Sequence, residues 1–160
     1  MNDAMIWRPD VTVAAVVERQ GQFLFVEERV RGALVLNQPA GHLEAGESLV
    51  DAVIRETLEE SAWEITVQHL VGVYQWTSPT DGTAFMRFAF AATANQHTDR
   101  SLDTGIERAI WLSPNALHDY SVPARSPLVA QCVNDYLAGH RHSCDLVRNL
   151  DSLNYRQHGR

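Results

Sequence analysis

Apolar positions along this 160-residue chain repeat with two different periods, and the change between them marks out its elements. Residues 11–17 and 23–26 are runs of β-branched, aromatic and small apolar side chains. Arg19-Gln20-Gly21 between them has turn chemistry, which predicts a β-hairpin. A shorter run, residues 33–36, meets Asn37-Gln38-Pro39-Ala40-Gly41, where proline and glycine stop regular structure and leave backbone groups available. At Ser48 the period becomes helical. The serine hydroxyl is a natural N-cap, Asp51 suits the positive end of the dipole, and Val50, Val53, Ile54, Thr57 and Leu58 form a stripe toward a core, with the helix running to about Ala62. Residues 65–76 and 85–92 read as strands around the turn-rich Ser78-Pro79-Thr80-Asp81-Gly82, a second hairpin. Residues 106–112 read as one more strand, and Ser113-Pro114 as the start of a short helix. A longer helix is expected with Ser126 as N-cap, Pro127 at the first position, Leu128, Val129, Val133, Tyr136 and Leu137 at helical spacing, and Gly139 as C-cap. From His140 the chain is polar and expected to be loosely held. Without repeat or linker, residues 1–160 are expected to form one domain.

Composition narrows the classes. A hydrophobic fraction of 45% in this length supports a core without disulfide or metal staples. Cys132 and Cys144, the only cysteines, are spaced unlike a zinc site and are expected as reduced thiols. No run approaches the roughly 20 apolar residues of a membrane span, and a cytoplasmic location with no membrane partner is expected. The net charge of −7 repels nucleic acid as a partner, so a polyanionic substrate would need a local cation. All 13 basic residues are arginine, whose fork suits phosphate, though coding bias explains the absence of lysine more simply.

One stretch departs from the average. Between Gly41 and Glu64 stand seven acids, Glu44, Glu47, Asp51, Glu56, Glu59, Glu60 and Glu64, against a single arginine, Arg55. On a helix Glu56, Glu59 and Glu60 fall within an arc of roughly 100°. Like charges at such spacing cost roughly 0.2–0.5 kcal/mol per exposed pair, and Arg55 neutralises at most one or two of them. Two readings follow from the charges alone. One is a solvated helix held by Asp51–Arg55 and Arg55–Glu59 pairs. The other is a site for a hard divalent cation, where oxygen ligands without histidine or cysteine favour Mg²⁺ or Mn²⁺ over zinc.

The order of the residues favours the second reading. Gly41, Glu47 after five residues, and Arg55-Glu56-Thr57-Leu58-Glu59-Glu60-Ser61-Ala62-Trp63 after seven more resemble the Nudix box, Gly-x5-Glu-x7-Arg-Glu-U-x-Glu-Glu-x-Gly-U with U apolar. Ala62 stands where the family usually has glycine, and Thr57 where it has an apolar residue. Because glycine there permits a left-handed cap, Ala62 predicts altered helix termination without lost chemistry. Flanking strings, among them Val11-Thr12-Val13-Ala14, Gln75-Trp76, Phe85-Met86-Arg87-Phe88 and Arg125-Ser126-Pro127-Leu128-Val129, resemble the bacterial NudJ-type phosphatases.

The resemblance implies an α/β (α+β) Nudix fold, a mixed β-sheet sandwiched between helices. It also implies a hydrolase of nucleoside di- and triphosphates and thiamine-type pyrimidine pyrophosphates, releasing inorganic phosphate from a small-molecule substrate and acting as monomer or homodimer. The alternatives are a pyrophosphohydrolase that releases pyrophosphate or cleaves a nucleoside diphosphate derivative, and a catalytically silent nucleotide sensor. Intact box acids argue against the sensor, and the net charge argues against an RNA-end processing factor.

Within this resemblance Glu56, Glu59 and Glu60 are assigned to Mg²⁺, with the carbonyl of Ala40 or Gly41 as a further ligand. Arg55, paired with Glu47, positions them. Relatives often draw a base from a loop before the last strand. Asp103 and Glu107 are the candidates there, although Gly105 occupies a position where relatives often carry an acid. Arg87, charged in an otherwise apolar strand, is expected to face a polar cleft. Asn37, Gln38 and Trp76 are candidates for recognising the organic group, Arg125 and Arg141 for holding phosphate, and His42 for a local hydrogen bond.

Overall fold

The computed structural model describes residues 6–151. Strand β1 (Asp10–Arg19) turns at Gln20 and Gly21, both with positive φ, into β2 (Gln22–Val30). The predicted hairpin forms, but its strands pair only at Glu18↔Phe23 and Arg19↔Gln22 before parting into two sheets. β1 continues beside β6 (Ala84–His97) in parallel and β4 (Ala40–His42) antiparallel. β2 joins β3 (Ala33–Asn37) and β7 (Ile106–Leu112). β5 (Trp63–Thr77) closes the far edge, paired antiparallel with β6 as the predicted second hairpin. Both its strands extend beyond the predicted ends, because β-bulges in β5 let pairing continue past the apolar run.

Helices cover both faces of the β1–β6 layer. Val13, Ala15 and Val17 of β1 pack with Phe90 and Ala92 against Ala52 and Val53 of α1 (Leu49–Ser61). Val16, Ala89 and Ala91 pack on the opposite side against Val129, Cys132 and Val133 of α3 (Leu128–Leu137). A strand buried on both faces reads as a continuous apolar run, as residues 13–17 do. This is the mixed sheet between helices that the resemblance implied.

Helix α1 starts as predicted, Ser48 Oγ accepting from the Asp51 amide. Its buried side is made by Ala52, Val53, Thr57, Glu60 and Ser61, while Leu58, expected in the core stripe, is half-buried. Thr57 is tolerated at an apolar position because its hydroxyl donates to the Val53 carbonyl, and Ser61 does the same to Thr57. Termination is not altered: Ala62 adopts the left-handed conformation itself, φ 60°, and its amide bonds the Leu58 carbonyl. A residue with a Cβ in that well costs about 1 kcal/mol, too little to unravel the cap.

A short helix α2 (Pro114–His118) is capped by Ser113 as expected. In α3, by contrast, Pro127 takes the N-cap place, no side chain caps it, and the Ser126 hydroxyl has no hydrogen-bond partner. Residues 140–147 are held more firmly than their polarity predicts. His142 exchanges two backbone hydrogen bonds with Leu70, and Cys144 and Val147 pack on the α1-side core. The last part of the expected polar tail, residues 152–160, lies outside the described residues, as do residues 1–5. Both cysteines are free thiols. Among the described residues no helix is long and apolar enough to cross a membrane.

Candidate active site

Strand β4 and α1 meet at close range at Gly41, which has no side chain. A Cβ built there would lie 2.1 Å from the Glu56 carboxylate, so any other residue would make that carboxylate shift from its place. Arg55 then organises one side of the cluster. Its Nε and Nη2 donate to the two carboxylate oxygens of Glu47 at 3.0 and 2.7 Å, and Nη2 also to the His42 carbonyl at 3.1 Å. Nη1 reaches Glu56 at 2.7 Å and Glu59 at 3.1 Å. The Asp51–Arg55 pair of the alternative, solvated-helix reading does not form, since Asp51 accepts from Ser48. With five donor contacts, Arg55 is a brace for the acids rather than a free cation, and these partners push its pKa further up.

Glu60 is left out of this arrangement. Its side chain is buried, its hydrogen bond comes from the Ala40 amide at 2.9 Å, and Glu28, Glu56 and Asp103 add like charge. Burial, reinforced by those acids, pushes its pKa up to about 8. Burial likewise raises Glu56, against the pull of Arg55. The donor set suits a hard divalent cation: oxygen only, on one helix face beside the edge of β4, with one buried carboxylate that no described cation pairs. Among the described residues no three histidine, cysteine, aspartate or glutamate side chains are placed together to hold a metal ion, and Arg55 Nη1 lies between Glu56 and Glu59.

Two loop acids were left open as candidates, and the structure separates them. Asp103 adds like charge to Glu56 and Glu60 and fastens its loop to α1 through its amide, which donates to the Glu59 carbonyl at 3.0 Å, while its own carboxylate stands 3.9 Å from Arg100. Glu107 instead pairs with Arg29, both exposed.

Beside the acids opens a cleft of about 750 Å³, with Glu56, Glu60 and Gly41 on one wall and Asn37, Trp76 and Arg87 on others. Trp76 stacks on Phe85, centroids 5.8 Å apart. Register places Arg87 opposite Thr12, on the α3 face of the sheet, so the charge in an apolar strand does turn toward the cleft. Arg125 lines the cleft as well, bonded to Glu28 at 2.6 Å. Two candidates stand elsewhere. Gln38 is buried and donates to the Val129 carbonyl at 2.7 Å, fastening the loop to α3 outside the cleft lining. Arg141 lies over the Tyr136 ring and bonds its carbonyl. His42 does line the cleft; it is exposed, and its ring contacts Asp10 on β1, 32 residues away, rather than a near neighbour in the chain. Sequence reasoning missed Glu28, Thr12 and Ser126 on the cleft wall. Glu28 follows the apolar run of β2 within the charged stretch Glu27-Glu28-Arg29, so no signal in the sequence set it apart.

The NUDIX domain family model matches residues 7–132. The phosphatase NudJ of Escherichia coli K12 is 41% identical over 147 residues, covering 91% of this chain and 95% of that protein. A NUDIX hydrolase structure from Nitrosomonas europaea superposes with a TM-score of 0.88 at 46% identity, covering 91% of this chain and 99% of that one. A UDP-X diphosphatase structure, at 16% identity and a TM-score of 0.67 over 88% of this chain and 68% of that one, shares the fold alone.

Proposed function

The chain belongs to the Nudix hydrolases, which act on phosphate anhydrides of small molecules, and from that premise we propose that it removes inorganic phosphate from nucleoside di- or triphosphates or thiamine-type pyrimidine pyrophosphates. The observation that carries this is the buried, uncompensated Glu60 at the mouth of a cleft with an aromatic wall. One magnesium ion, with manganese as the alternative, would be held by Glu56, Glu59, Glu60 and the Gly41 carbonyl. When bound it shields the anhydride's charge and lowers the pKa of a water.

The chain's own residues do the rest. Arg55, fixed on Glu47, keeps Glu56 and Glu59 turned to one side of α1. The cleft holds the organic group against Trp76 and excludes water from one side of the anhydride. Asp103 is the group we assign to accept the proton of the attacking water. The water oxygen bonds to phosphorus as the anhydride P–O bond breaks, and inorganic phosphate departs. The likeness to a phosphatase favours phosphate over pyrophosphate as the product.

The test is release of inorganic phosphate and of pyrophosphate, with and without Mg²⁺, over a panel of nucleoside di- and triphosphates and thiamine-related diphosphates. Magnesium-dependent phosphate release is expected. Pyrophosphate as the main product would overturn the reaction proposed, and no turnover would favour a nucleotide sensor.

A further inference from the structure

Away from the acid cluster, the cleft carries polar atoms that the protein itself leaves unsatisfied. Arg87 is 7% exposed, and its Nε and Nη1 have no hydrogen-bond partner. Burial works against its charge and Arg125 nearby repels it, while the Cys132 thiol beside it and the Glu28 carboxylate offset this only in part. Asn37 is 3% exposed; its Nδ2 donates to the Glu28 carboxylate, an acceptor that fixes which way the amide points, and its Oδ1 is left bare. The hydroxyls of Thr12 and Ser126 are unpartnered too. All four residues line the same cleft as the Trp76–Phe85 stack, with Phe85 two residues before Arg87 on the same face of β6.

A buried donor or acceptor without a partner is costly, and a group of them around one cavity describes the ligand that completes it. The bare donors of Arg87 require acceptor atoms, and the bare carbonyl of Asn37 requires an N–H. The aromatic wall requires a flat ring. We propose that Arg87 and Asn37 read the lactam edge of an oxo-substituted heteroaromatic ring, a carbonyl oxygen beside a ring N–H. Guanine, hypoxanthine and uracil present that edge. Adenine and cytosine present the reverse, an amino donor beside an unprotonated ring nitrogen, which sets donor against Arg87 and acceptor against Asn37. This rests on the reading of the cleft as the seat of the organic group and selects among the proposed substrates, favouring nucleotides of oxo bases over thiamine-type pyrimidines, whose ring presents the amino edge.

The test is binding, which needs no turnover. Inosine and adenosine 5′-monophosphates differ at the lactam edge, as do uridine and cytidine 5′-monophosphates, and inorganic pyrophosphate carries no ring. Titrated with Mg²⁺ present, the wild type is expected to bind each oxo partner at least about 5-fold more tightly than its amino counterpart. Arg87→Met is expected to lose about 5- to 100-fold of the oxo affinity and to erase the preference, with pyrophosphate affinity unchanged. Because it removes a buried charge with unmet donors, its melting temperature is expected to hold or rise. Should that variant fail to fold, Arg87→Lys keeps the charge without the planar fork and is expected to lose the preference likewise. Equal binding of oxo and amino partners, no binding of any of the four, a preference that survives both substitutions, or loss of pyrophosphate affinity with Arg87 would each overturn the proposal. Phosphate release without base preference would leave the activity standing and remove this inference, and preference without phosphate release would do the converse.

Discussion

Glu27 and Glu60 are both buried, at 4% and 9% exposure, and their surroundings are opposite. Glu27 on β2 receives Arg108 through two nitrogens, at 2.8 and 3.1 Å, and the Tyr120 hydroxyl at 2.5 Å. Arg108 above all, with Tyr120 assisting against burial, holds its carboxyl below the ordinary range. Glu60 on α1 has one amide and three acids around it, and its carboxyl is pushed the other way. Evenly matched donors make a buried acid a finished piece of structure. A buried acid among other acids is unfinished, and such positions concentrate where a cation or substrate completes them.

Substitutions sharpen the contrast unequally. The largest effect is expected from Glu60→Gln: turnover falls by at least about 100-fold, while the melting temperature without added metal holds or rises, because a neutral amide of the same shape fits the buried position that disfavours an ionised carboxylate. Steady-state phosphate release and a thermal melt check the two halves. Gly41→Ala comes next. Its Cβ would displace the Glu56 carboxylate, so a loss of roughly 10- to 100-fold in activity is expected from a folded protein whose circular dichroism is unchanged.

The Glu27 side should behave as stability alone. Tyr120→Phe removes one hydrogen bond to a carboxylate and is expected to cost about 1.5 kcal/mol in urea unfolding, with turnover unaffected. Its pH dependence follows from the sign of the shift. Because the folded pKa of Glu27 is depressed, its contribution is present above the unfolded value near 4.5 and is lost as pH falls through the folded value. Denaturation midpoints measured across that acid limb should therefore converge for wild type and Tyr120→Phe. The smallest effect is expected from Ala62→Gly at the left-handed end of α1, a gain of about 0.5–1 kcal/mol on the same scale with kinetics unchanged.

The two regions also differ in how far they could be read in advance. Glu56, Glu59 and Glu60 share one helix within five residues, so spacing alone puts them on one face, and the Gly41-to-Trp63 order adds the rest. Glu27 depends on Arg108 and Tyr120, 81 and 93 residues away, and only the pairing of β2 with β7 brings them together. Arg87 was legible because a charge within an apolar strand is conspicuous. Gln38, next to Asn37 in the same loop, was not separable from it, since a turn decides that one amide meets α3 and the other the cleft. Ser126 followed the rule for caps, yet the proline after it took the N-cap place. Ala62 was misjudged in effect rather than in position, because a single residue's strain is small beside the packing of the whole helix.

The most direct measurement is the melting temperature of wild type and Glu60→Gln, each with and without millimolar Mg²⁺. A cation that completes Glu60 stabilises the folded state that binds it, so the wild type should gain several degrees and the variant little. Equal shifts in the two proteins, or none in the wild type, would contradict the claim that Glu60 is buried in order to hold a metal.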